Sequence, residues 1–139
     1  PFPVGRLDKD TEGLLLLTND GQLSHRLLSP KKHVPKTYIA KIAGRVTEED
    51  VEIFSKGVVL EDGYKTMASE LIIMERGRIS LVEITIYEGK FHQVKRMFQT
   101  VGKEVIFLKR ISMGGLKLDE TLEPGEYREL NEAELGIML

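Results

Sequence analysis

Hydrophobic and polar positions along the chain switch period several times. Leu14–Leu17 is a continuous apolar run ended by Asn19-Asp20-Gly21, so Leu14 to Thr18 reads as a buried strand or a helix end, followed by a turn. Asp20 is placed to cap a helix through Leu28, in which Leu23 and Leu27 lie four apart and Ser29-Pro30 is the stop. Thr37 to Ile42 alternates in the β manner up to Gly44. Thr47, followed by Glu48, Glu49 and Asp50, marks a helix start whose acids favour the positive end of the helix dipole, and Gly57 closes that helix. Met67–Met74 and Ile79–Tyr87 read as strands paired around Glu75-Arg76-Gly77-Arg78, with Val82, Ile84 and Ile86 on one face. From Phe91 to Val101 the period becomes helical: Phe91, Val94, Phe98 and Val101 form an apolar stripe, while His92, Lys95, Arg96 and Gln99 share another side. Glu104–Ser112 and Gly115–Leu118 read as strands, and Asn131 can cap a last short helix. These elements predict one mixed α+β domain.

Composition narrows the chemistry. The 139 residues include no cysteine, which excludes disulfides, thiolate metal sites and cysteine nucleophiles. No apolar run approaches the roughly 20 residues of a membrane span, and the first residues lack the layout of a secretory signal. His25, His33 and His92 are widely spaced and have no acidic partners at metal-ligand spacing, so no metal is expected. Neither a phosphate loop nor a dinucleotide fingerprint occurs. Acid–base and carboxylate chemistry remains, and Asp8 and Glu12 sit in a turn-rich segment directly before the apolar run.

The net charge of −2 disfavours a polyanionic partner until it is divided along the chain. Asp119–Leu139 holds seven acids and one base, whereas residues 1–118 hold 15 acids and 19 bases. Gly21 to Thr47 carries Arg26, Lys31, Lys32, Lys36, Lys41 and Arg45 with no acid, and a second cluster, Lys90 to Arg110, is opposed only by Glu104. Two basic stretches in a near-neutral chain suit a directed phosphate-binding face.

Three motifs carry a resemblance. Gly5-Arg6-Leu7-Asp8 with Thr11-Glu12-Gly13-Leu14-Leu15-Leu16-Leu17-Thr18-Asn19-Asp20-Gly21, then Lys36-Thr37-Tyr38, then Glu88-Gly89-Lys90-Phe91-His92-Gln93-Val94-Lys95-Arg96-Met97-Phe98 resemble, in order, the motifs of RNA pseudouridine synthases of the RsuA family. Gly21–Arg26, Met113–Leu118 and Pro124–Arg128 are similar to its small-subunit rRNA branch, so the likeness covers nearly the whole chain. It implies a mostly antiparallel sheet with flanking helices and a central cleft, and lobes of about 9–101 and of 1–8 plus 102–139. It also implies cofactor-free, metal-free isomerisation of a uridine in small-subunit ribosomal RNA by a cytoplasmic monomer. The sister large-subunit enzymes and a chain that only binds RNA are the alternatives.

By the same resemblance Asp8 is the essential carboxylate, Lys95 the cation beside it, and Tyr38 the residue against the uracil that relays a proton. Leu108 packs beneath the base, and Arg6 fills the gap left by the extruded uridine. Arg26, Lys31, Lys32, Lys36 and Arg96 hold phosphates, and His92 and Gln93 belong to the RNA-binding motif. Glu12 is read as structural. Family members begin with an S4-type RNA-binding domain and a strand bearing N-K-P-x-G, so this chain is expected to be part of a longer one.

Overall fold

Period-two alternation and two packed helices account for the main layer of a computed structural model that describes residues 2–5, 7–28, 33–131 and 134. In chain order the elements are β1 (Phe2–Pro3), β2 (Glu12–Gly13), β3 (Leu17–Thr18), α1 (Gly21–Leu28), β4 (Lys36–Ala43), α2 (Glu48–Ser55), β5 (Glu70–Glu75), β6 (Ile79–Ile86), α3 (Gln93–Thr100), β7 (Glu104–Met113) and β8 (Leu116–Lys117). The larger sheet runs β2-β7-β4-β6-β5, with β8 paired to β7, and the smaller one pairs β1 with β3. Only the β2–β7 pairing is parallel within these sheets. The expected α+β class with a mostly antiparallel sheet is thus present. No helix among the described residues is long and apolar enough to cross a membrane.

The alternation in β4 and β6 sends Tyr38, Ala40 and Ile42, and Val82, Ile84 and Ile86, to one face. α2 and α3 cover that face, and Phe54 meets Phe98 edge-on at 5.0 Å between ring centres. Thr47 caps α2 as its sequence predicts: its hydroxyl accepts from Asp50 N, and Asp50 accepts from Thr47 N at 3.0 Å. Asp50 is itself buried and pairs with Lys103 at 3.0 Å, which ties α2 to the residue before β7. Asp20 caps α1 by accepting from Gln22 N and Leu23 N at 3.0 and 3.1 Å.

Three expectations change. Leu14 to Thr18 is not one buried strand: Gly13 pairs with β7, Leu17 and Thr18 pair with β1, and the residues between them cross from one sheet to the other. Leu16 is therefore buried, while Leu15 and Leu17 are exposed. α3 begins at Gln93 because His92 takes a left-handed conformation at φ 49°, which breaks the helix ahead of it. Phe91 consequently leaves the core stripe and lies 66% exposed, and Gln93 and Met97 are buried beside Val94 and Phe98. The strand expected from Met67 starts at Glu70, since Met67 N and Ser69 N bond instead to Glu88 and to Phe54 O.

β7 is hydrogen-bonded along β4, and Leu108 joins the main core. Val4, Leu16, Leu27, Met113 and Leu116 form a smaller core. The capping contact of Asn131 with Glu134 is present, while the rest of the expected last helix lies outside the described residues.

Candidate active site

The residues before β2 form a tight turn in which Thr11 N donates to Asp8 O at 2.9 Å. β2 then lies against Arg110 so closely that a Cβ on Gly13 would fall 2.1 Å from Arg110 O, and Gly13 holds φ +106°. Only glycine fits both constraints. Leu14 N donates to Arg110 O at 2.9 Å, and Arg110 Nε donates back to Leu14 O at 2.8 Å. The Asp8 segment is therefore fastened to β7 largely at Arg110, from its main chain and its side chain together.

Tyr38 on β4 stands opposite Arg110, and Leu108 lies on the same strand as Arg110. With Asp8, Lys36 and His92 these residues line a cleft of about 210 Å³. His92 Nε2 approaches Asp8 Oδ1 at 3.5 Å, a charge contact when the imidazole is protonated. Burial pushes the Tyr38 hydroxyl above its ordinary pKa, against the nearby Arg110 guanidinium and with the Asp8 charge. Burial, then the charge of Arg110, lowers the pKa of Lys36, while Glu88 opposes the shift. Lys36 forms no ion pair among the described residues and is 9% exposed.

Two polar atoms bordering this cleft, Thr11 Oγ1 and Arg110 Nη2, are buried without a hydrogen-bond partner in the protein. Such groups are rare in folded chains. Here they offer one acceptor or donor and one charged donor to a polar ring edge entering between Tyr38 and Leu108. The site thus combines a carboxylate, a phenol, buried cations and an apolar floor.

Asp8, Tyr38, His92 and Leu108 line one cleft, which Gln93 and Lys36, the latter expected at a flanking phosphate, also border. Gln93 is spent on structure, however: its Oε1 accepts from Lys90 N at 3.1 Å, and its Nε2 donates to Glu88 Oε2 at 3.0 Å. Lys95 makes no ion pair with Asp8. Its ammonium pairs with Asp10, whose carboxyl it holds below the usual range, and among the described residues His92 is the basic group in contact with Asp8. Arg96 is held by Glu61 and Asp62 at 2.7 and 2.8 Å and by Phe91 O, which takes it away from a free phosphate-binding role. Arg26 is exposed on α1, while Arg6, Lys31 and Lys32 lie outside the described residues. Glu12 is exposed in β2.

Arg110 and Glu88 are the residues that sequence reasoning missed. Arg110 counts only as one base in a cluster until its parity with Leu108 is noticed: a cation at an inward position of a strand is the signal. Glu88 opens a motif that also supplies Gln93, and its carboxylate accepts from Tyr64 OH, from Met67 N at 2.7 Å and from Gln93. It thereby fixes the turn that presents His92.

Residues 1–100 match the family model described as RNA pseudouridylate synthase. Over 140 residues the chain is 56% identical to a protein of Bacillus subtilis (strain 168) named an uncharacterized RNA pseudouridine synthase, YtzG; the match covers 99% of this chain and 58% of that protein. It is 46% identical over 133 residues to ribosomal small subunit pseudouridine synthase A of Escherichia coli (strain K12), covering 96% of this chain and 57% of that one. A crystal structure of a pseudouridylate synthase superimposes with a TM-score of 0.94 at 43% identity, over 99% of this chain and 59% of the other. The chain therefore spans a little over half the length of the curated relatives it matches.

Proposed function

This chain belongs to the RNA pseudouridylate synthase family, and we propose that it isomerises one uridine to pseudouridine in small-subunit ribosomal RNA. The observation that carries the reading is the convergence of Asp8 and Tyr38, from separate motifs, on one cleft floored by Leu108. The reaction breaks the bond from uracil N1 to C1′, turns the detached base and joins its C5 to C1′; the hydrogen on C5 is given up and N1 gains one. A stacked uridine cannot enter such a cleft, so the target is flipped out or lies in a loop.

Asp8 supplies the carboxylate that starts the exchange. Tyr38, its neutral phenol favoured by burial, stands against the ring and hands its own proton on toward N1 as it takes the one from C5. Arg110 Nη2 and Thr11 Oγ1 hold the polar edge of the uracil as it turns, and Leu108 gives it a smooth floor. His92 contacts Asp8, while Lys95 secures Asp10 in the same loop. Lys36 and Arg26 hold flanking phosphates, which place the RNA without reading its sequence. The identity to an enzyme named for the small ribosomal subunit favours that RNA over the large-subunit one.

Tritium release from RNA labelled at uridine C5 tests the chemistry. Ribosomal RNA is incubated with the chain, with a longer form of the protein, and with an Asp8→Asn variant of each. Release that depends on Asp8 is expected; equal release by Asp8→Asn overturns the catalytic assignment. Chemical blockage of reverse transcription in a deletion strain then locates the target, and a site lost from the large subunit overturns the choice of RNA.

A further inference from the structure

Beside the cleft lies a second recess of about 260 Å³, bordered by Asp62, Tyr64, Lys90, Phe91 and Arg96. The two are separated by a ridge made of two rings. His92 borders the first and Phe91 the second, and the rings stack with centres 3.8 Å apart and planes 16° apart. Phe91 is the most exposed phenylalanine described, at 66%, although its ring could have joined the core stripe of α3 had the left-handed turn at His92 not held it out. An exposed aromatic carries an unfavourable hydration cost that a stacking ligand removes.

The walls of the recess are already fixed. Tyr64 is tied through its hydroxyl to Glu88, and Lys90 Nζ lies 4.7 Å over the Tyr64 ring. Arg96 is clamped by Glu61, Asp62 and Phe91 O. One guanidinium thus offsets only one of the two acids, and Lys90 balances the other. Two aromatic rings, Phe91 and Tyr64, bordering one recess suit a nucleobase, and stacking tolerates any base because each presents a π-face.

We propose that this recess seats the base of a nucleotide flanking the uridine in the cleft, stacked on Phe91, so that the His92–Phe91 ridge wedges apart two neighbours in the RNA. The proposal rests on the RNA-modifying reading of the cleft and adds a second base site to it. Larger purine faces are held better than pyrimidines.

Binding without turnover tests it. Fluorescence anisotropy is followed with a labelled 12-nucleotide single-stranded RNA holding one uridine between two adenosines, and with the same RNA abasic at both flanking positions. Phe91→Leu is expected to weaken binding of the adenosine-flanked RNA about tenfold, to leave the abasic RNA within about twofold, and to leave thermal stability unchanged; Phe91→Tyr restores the affinity. Equal affinities of wild type and Phe91→Leu for the adenosine-flanked RNA overturn the proposal. So does an equal loss on both RNAs, or failure of the wild type to bind either. Tritium release is read separately: its absence in a protein that keeps flank-dependent binding overturns the isomerase reading and spares the recess.

Discussion

Replacing Gly13 with alanine asks how much of the site depends on the fastening of the Asp8 segment to β7. The new Cβ would lie 2.1 Å from Arg110 O, 2.7 Å from its N and 2.9 Å from its C, all main-chain atoms of a strand held on its other edge by β4. β7 cannot yield, so the segment must retreat by about 1 Å to reach ordinary contact. The retreat breaks the Leu14 N to Arg110 O bond, worth about 1 kcal/mol, and the charged bond from Arg110 Nε, worth about 1.5–3 kcal/mol. Alanine at φ +106° adds about 1 kcal/mol or more of strain. The total is about 3–5 kcal/mol, a large share of the stability of a single domain. Gly102→Ala is the control, because Gly102 has φ +73° but nothing within 4 Å of its added Cβ, so only the strain remains. Urea denaturation gives both stabilities, and tritium release gives the effect on Asp8, where a 1 Å displacement costs about 10²-fold. A Gly13→Ala midpoint equal to that of Gly102→Ala, with release unchanged, refutes the reasoning.

Lys36→Met should raise the thermal midpoint while weakening RNA binding. Burial lowers the folded pKa of Lys36, so the unfolded chain binds that proton more tightly; the cost is fully present below the folded pKa and fades as pH rises toward the unfolded value. The gain from Lys36→Met is therefore larger at pH 7 than near pH 10.5, and a gain independent of pH would contradict it. Ultraviolet titration should show Tyr64 ionising at about 12, and its pKa should fall toward 10.0 in Glu88→Gln, where the neutral amide no longer opposes the phenolate. Because that pKa is raised on folding, its contribution to stability is complete below the unfolded value and disappears as pH climbs through the folded one. Asp50→Ala removes the α2 capping box and strands Lys103, and is expected to cost about 2–4 kcal/mol in urea denaturation; a loss within about 0.5 kcal/mol, as at an ordinary surface site, would deny the pair its role.

Local signals were the legible part of the fold. Asp20 and Thr47 announce their helices because a cap needs only neighbours within one turn, and the alternation of Val82, Ile84 and Ile86 reports a face whatever covers it. Leu14 to Leu17 misleads for the opposite reason: its burial depends on two strands distant in the chain, and the run changes partner midway. Phe91 fails because a left-handed residue other than glycine leaves no mark in composition. For the site, the likeness of three motifs brought Asp8, Tyr38 and His92 forward, and the wider resemblance added Leu108. Charge counts alone could not separate the free Lys36 from Arg96, which two acids occupy, nor show that Lys95 serves Asp10. Arg110 was hidden inside a basic cluster, although its value comes from being the one cation in that cluster turned inward beside Leu108.

The bond that closes the site joins Leu14 to Arg110 across a sequence separation of 96 residues. β4, β5 and β6 are linked through antiparallel pairings, whereas the docking of β2 waits for nearly the entire chain and carries the largest loop-closure entropy. The segment is also short, with two ladder residues and few bonds to lose, which places it at the low end of local unfolding free energies. The sheet with Tyr38 and Leu108 can therefore be complete while the Asp8 wall is still undocked.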